Sequence, residues 1–214
     1  MKKINFLGDS ITQGGGASSH ENRYSTLAAK YFNAKECNYG AGGTRIAKQK
    51  TNNYPDYDNN EFMRRAILME KDVDFTVVFG GTNDYGHGDA QLGCMEDRDA
   101  YTFYGAMHEL VTYLLGKYPK EKLCFILPLP RYNQGSLYGE GQKPVAMYAL
   151  SKYIEAEKEV LSYYGVEYLD LSDRFYEPQA PICDALFRDG LHPNDAGHKL
   201  LADCLIEYLK EKIS

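Results

Sequence analysis

The sequence predicts an α/β domain with a mostly parallel sheet, and three observations point there. Short, continuous apolar runs rich in β-branched and aromatic residues recur along the 214-residue chain. Runs of that kind suit strands covered on both faces. Segments with apolar residues at three- and four-residue steps alternate with them, as amphipathic helices do. The longest connections leave the predicted carboxyl ends of strands, where open α/β sheets bind ligands.

In chain order, "KINFLG" (3–8) reads as the first strand and "AKECNYG" (34–40) as a weaker second one. "VDFTVVFGG" (73–81) is the clearest buried strand, followed by "KLCFILPLP" (122–130) and "VEYLDL" (166–171). Helical periodicity covers residues 22–32, 60–70, 100–118, 145–164 and 194–213, with Asn194 or Asp195 available to cap the last. Three connections are long: 44–59, 82–99 and 131–144. Loops of that length are usually functional or disordered, and Tyr, Asn and Arg in these favour an ordered binding rim. No internal repeat, linker or low-complexity segment interrupts the pattern, so residues 1–214 read as one domain.

The chain is 43% hydrophobic and 25% charged, with a formal net charge of -6. An acidic balance argues against a non-specific nucleic-acid or anionic-membrane binder. No apolar run is long enough to span a bilayer, and the apolar stretch after Met1 is too short for a signal peptide; the expectation is a cytoplasmic protein without membrane insertion. The five cysteines, Cys37, Cys94, Cys124, Cys183 and Cys204, include no C-x-x-C pair. They read as small buried hydrophobes, not as a disulfide framework or zinc site.

Four short motifs carry chemistry. In "FLGDSITQGGG", Ser10 follows the first strand at a strand-to-helix turn. There a hydroxyl can point into a cleft, with its own N–H at the amino end of a helix. The bland reading is a capping turn. In "FRDGLHPNDAGH", Asp189 and His192 lie three residues apart on a Gly-containing turn. The acid can accept from Nδ1 and leave Nε2 free as a base. In "GGTNDYG", Asn83 puts a side-chain amide just past a fully apolar strand, as an oxyanion donor or a turn former. In "NYGAGGTR", Gly43 can offer an N–H where a side chain would block approach. Together these supply a nucleophile, a base, its orienter and oxyanion donors.

"GDSIT" (8–12), "NYGAGG" (38–43), "GTND" (81–84) and "DGLHP" (189–193) resemble, in order, the four sequence blocks of the SGNH hydrolases, also called the GDSL lipase/esterase family. The resemblance covers nearly the whole chain, and Ile for the more usual Leu in the first block is a small change. It implies a three-layer α/β/α, flavodoxin-like fold around a five-stranded parallel sheet. It implies Ser10 as nucleophile, His192 as base and Asp189 as its partner. The implied oxyanion hole is the Ser10 N–H, the Gly43 N–H (Gly42 being the alternative) and the Asn83 side chain. No cofactor or metal is implied.

Other readings fit less well. A Walker pattern from Gly8 fails at Gln13, and G-x-G-x-x-G from Gly40 fails at Arg45. The elbow G-x-S-x-G is absent. His20, His87, His108 and His198 show no metal-ligand spacing; His108 reads as a packing or surface residue and His87 as a solvated loop histidine. A non-catalytic carbohydrate-binding module suits the 19 tyrosines but has no use for the Ser, Asp and His set. The polar, Tyr-bearing rim points to a small-molecule ester substrate. The expected activity is removal of a short acyl group, acetyl foremost, from a carbohydrate or similar polar alcohol. Thioesterase and lysophospholipase activities, which the resemblance also implies, are the alternatives.

Overall fold

The computed structural model describes residues 1–51, 59–143, 145–175 and 185–213. Cys183 and most of the 52–60 stretch of the expected rim lie outside the described residues. Five strands form one parallel sheet: β1 (Lys2–Gly8), β2 (Ala34–Gly40), β3 (Phe75–Phe79), β4 (Leu123–Ile126) and β5 (Glu167–Leu169), in the order β2-β1-β3-β4-β5. The helices are α1 (Ser10–Gln13), α2 (Tyr24–Tyr31), α3 (Phe62–Leu68), α4 (Thr82–Gly86), α5 (Phe103–Lys117), α6 (Leu150–Tyr164), α7 (Ser172–Phe175) and α8 (Asp195–Leu209).

Both sheet faces are apolar, which explains the continuous runs. On β3 and β4, Phe75, Val77, Phe79, Cys124 and Ile126 pack with α2 and α8. Val78, Leu123 and Phe125 face the opposite way, toward α3, α5 and α6. Alternate residues thus fill two cores, giving three layers. Chain order reverses between β1 and β3, so the crevice at their carboxyl ends is the switch point of the sheet.

The strands end earlier than the apolar runs. β3 stops before Gly81, whose φ of +93° leaves the extended region, and β4 stops before Pro128, which has no N–H for the ladder. α6 begins at Leu150, not 145, because Met147 N–H is drawn to Leu137 O (2.7 Å) and Leu150 N–H to Gln134 O (2.9 Å). Asn194 is the cap of α8, its side chain accepting from Gly197 N–H. Cys37 and Cys124 are buried as expected, but Cys94 is exposed and Cys204 half-buried: Cys94 lies in the 87–102 connection, outside either core.

One glycine shows how tightly the sheet edge is packed. A Cβ on Gly40 would lie 2.3 Å from Gln13 N and 2.6 Å from Thr12 C, both backbone atoms of α1. Overpacking of this kind typically costs about 1–3 kcal/mol. Gly40→Ala should therefore lower Tm by about 2–12 °C in calorimetry, and an unchanged Tm would show that α1 can shift freely.

Candidate active site

Ser10 is positioned by what flanks it. Asp9 caps α1, its Oδ1 accepting from Ile11 N–H at 2.9 Å, and α1 ends after one turn at Gly14 (φ +112°). Ser10 is the first residue of that turn, so its own N–H is not used within the helix. The string of glycines that follows has a spatial reason. A Cβ on Gly15 would lie 2.9 Å from His192 Cδ2, and one on Gly16 2.9 Å from His192 Cβ and 2.1 Å from Pro193 O. The imidazole of His192 rests on bare backbone.

The Asp189–His192 turn is closed by its own acid. Asp189 Oδ1 accepts the N–H groups of Leu191 (3.0 Å) and His192 (2.8 Å), while Oδ2 accepts from His192 Nδ1 at 2.7 Å. A carboxylate only accepts, so the imidazole proton sits on Nδ1 and Nε2 carries a lone pair. Nε2 lies 2.9 Å from Ser10 Oγ, which donates to it. Burial pushes the Asp189 carboxyl up, but the bonds from His192 outweigh it and hold the group below the usual carboxylate range. Its side chain is 52% exposed, against 25% for His192, so solvent screens the pair.

The second block is latched to α1. Asn38 Nδ2 donates to Thr12 O (2.8 Å) and Ser25 Oγ (2.9 Å), and its Oδ1 accepts from Gly40 N–H (2.9 Å). Gly42 N–H is taken by Gln13 Oε1 at 2.9 Å. Gly43 adopts φ +72°, and its carbonyl accepts from Arg45 Nη1. Asn83 is buried in α4, one amide N–H donating to Thr44 O at 3.1 Å. An amide has two N–H groups, so that bond fixes its orientation and leaves the second.

The residues named from the sequence thus fall on one edge. Ser10, His192 and Asp189 form a continuous hydrogen-bond chain, and Asn83 and Gly43 are tied to the same segment, 43–44. Several supporting residues had no sequence signal beyond their type. Arg65, buried in α3, donates to the carbonyls of Gly8 and Tyr39 and to Thr44 Oγ1 (2.7 Å), joining the ends of β1 and β2. Burial pulls its guanidinium down to about 10. His198 is buried, accepting from Tyr24 N–H at Nδ1 (3.3 Å) and donating from Nε2 to Gly15 O (3.0 Å), which secures the loop under His192. His87 is half-buried rather than solvated, with Nδ1 3.2 Å from Arg45 Nη1; burial, then the Arg45 charge, pull it down to about 4.

The sequence profile of the GDSL-like lipase/acylhydrolase family matches residues 6–200. The chain belongs to that family. A Lactobacillus plantarum protein of known crystal structure is 34% identical, with a TM-score of 0.79 over 98% of this chain and 97% of that one. A lipase/acylhydrolase from Enterococcus faecalis (20% identity, TM-score 0.66, 100% and 98% covered) shares the fold. So does a lipolytic G-D-S-L family member from Veillonella parvula (18%, TM-score 0.63, 98% and 99% covered). No protein of curated function matches the chain. Among the described residues, no helix is long and apolar enough to cross a membrane.

Under this GDSL-family edge lie three buried carboxyls. Burial pushes Asp9 and Asp84 up to about 6 each, and Glu157 well above its ordinary value. Asp84 accepts the N–H groups of Ile46 and Ala47, both at 2.9 Å, so it shapes the segment after the second block. A carboxyl raised on folding contributes stability that is complete below its unfolded value near 4 and lost as pH rises through about 6. Asp84→Asn does not titrate. On going from pH 7.5 to 4.5, the stability difference between wild type and Asp84→Asn should move toward the wild type by about 1–3 kcal/mol. Urea unfolding at the two pH values measures it; a difference independent of pH would contradict the burial argument.

Proposed function

We propose that the protein is a serine ester hydrolase that removes short acyl groups, acetyl foremost, from a carbohydrate or similar polar alcohol. The observation that carries the reading is the hydrogen-bond chain Ser10 Oγ–His192 Nε2 (2.9 Å) and His192 Nδ1–Asp189 Oδ2 (2.7 Å). Ser10 Oγ attacks the acyl carbon while its proton passes to His192 Nε2. Asp189 stabilises the imidazolium that results. The carbonyl oxygen becomes an oxyanion held by the Ser10 N–H, the Gly43 N–H and the free N–H of Asn83. The carbon–oxygen bond to the alcohol breaks as His192 returns the proton to it. Water, deprotonated by His192, then releases the acid from Ser10.

Gly43 is preferred to Gly42 as the second backbone donor, because Gly42 N–H is already paired with Gln13. The rim supports a polar, ring-bearing alcohol. Tyr132, Tyr138 and Tyr148 are each about half exposed on the segment after β4, where they can stack on a sugar ring and hydrogen-bond its hydroxyls.

Ser10→Ala should lower kcat on p-nitrophenyl acetate about 10⁴-fold or more with the fold intact by circular dichroism. A variant retaining a tenth of wild-type turnover would remove Ser10 from the mechanism. Asn83→Ala should cost about 10²–10³ in kcat with little change in KM; a loss confined to KM would make it a binding residue.

A panel of p-nitrophenyl esters addresses the substrate. Activity should peak at about two to four acyl carbons, since overfilling a small pocket costs more than the roughly 0.8 kcal/mol each buried methylene contributes. Acetylated sugars should exceed simple alkyl acetates in kcat/KM. Activity that keeps rising to long chains would favour the lysophospholipase or thioesterase alternative.

A further inference from the structure

Helix α4, which carries Asn83, is only five residues long. A helix that short does not hold itself in water, so its placement comes from outside. Segment 44–47 supplies part of it, through Asn83 and Asp84, and the loop that leaves β4 supplies the rest. Arg131 Nη1 donates to both the carbonyl and the hydroxyl of Thr82, at 3.1 Å each. Arg131 Nη2 pairs with Glu140 Oε1 at 2.5 Å, and Glu140 N–H donates to Gly86 O at 2.8 Å. One loop therefore grips the first and last residues of α4. Between them, the Tyr85 hydroxyl donates to the carbonyls of Asn133 and Ser136.

The same loop reaches the other side of the site. Tyr132 N–H donates to Gly190 O at 3.0 Å, inside the turn that carries Asp189 and His192. Two consecutive residues thus touch the Asn83 element and the His192 element. The Arg131 side chain is completely buried, and its Glu140 partner is 21% exposed. For stability alone, apolar residues of similar volume often do as well as a buried ion pair. What only an arginine offers here is a planar fork whose donors meet Thr82 and Glu140 at fixed angles.

We propose that Arg131 is a positioning residue: its fork holds Thr82, and through it the adjacent Asn83 amide, in register with Ser10 and His192. The proposal rests on reading Asn83 as an oxyanion donor. Displacing a reacting group by about 1 Å can cost on the order of 10²-fold in rate.

The test is kcat, KM and Tm for Arg131→Lys, on p-nitrophenyl acetate, in the wild-type and Asn83→Ala backgrounds. Lysine keeps the charge and loses the fork. In the wild type it should lower kcat about 10–100-fold with KM within about 2-fold. In Asn83→Ala the further loss should be under about 3-fold, because no amide remains to be misplaced. Equal losses in both backgrounds, or a change confined to Tm or KM, would overturn the proposal. If Arg131→Lys does not fold, Glu140→Gln loosens one arm of the same clasp: several-fold loss in kcat in the wild type and none in Asn83→Ala is expected, and equal losses overturn it. An Asn83→Ala variant with full kcat would overturn the oxyanion reading and this proposal together. A deficit of 10²–10³ in Asn83→Ala with additive Arg131→Lys would overturn this proposal alone.

Discussion

The contact between Ser10 Oγ and His192 Nε2 joins residues 182 apart in sequence, and everything else at the edge must be right for it to close at 2.9 Å. Ser10 is set by the end of β1, His192 by the start of α8. These meet only because α8 docks on α2 through the core beneath β1, β3 and β4, where Leu201, Leu205 and Leu209 are fully buried. The hydrogen bond itself contributes little to stability, about 0.5–1.5 kcal/mol net. The apolar core fixes the distance, and the bond uses it.

The edge is further held by groups that sheets of this kind leave unsatisfied. Carbonyls at the ends of β1 and β2 accept from Arg65, and those around α4 accept from Arg131 and Lys143. Burial pulls the Lys143 ammonium down to about 8, with Asp84 pushing the other way. Arg65 and Lys143 are buried near the buried carboxyls Asp9 and Asp84 beneath this edge, and with water excluded each charge is felt strongly by its neighbours.

Much of this was legible in the sequence because the signals were local. Two-sided burial makes β3 and β4 continuous apolar runs and β1 nearly so, which made them readable; the edge strands β2 and β5 are only partly buried, and β2 read more weakly for that reason. The residues that break the pattern at the strand ends, Ser10 and Asn83, stood out. Asp189 and His192 were legible as a pair because one turn holds both. What could not be read depends on contacts across the fold. α4 has no apolar periodicity; it forms because Asp84 and Thr82 find partners at 46–47 and 131. His198 differs from a surface histidine only through Tyr24 and Gly15, which are distant in sequence. Arg131 carried the same signal as Asn83, a polar residue straight after an apolar run, and only its burial separates it from a loop arginine.

In the proposed mechanism the hydrogen-bond chain makes Ser10 a nucleophile. Labelling with a fluorophosphonate, followed by peptide mass spectrometry, tests it without any assumption about substrate, because the reagent needs an activated serine. One adduct is expected, on Ser10, formed at least about 10²-fold more slowly in His192→Gln. An adduct elsewhere, or equal labelling of Ser10 in both proteins, would contradict it.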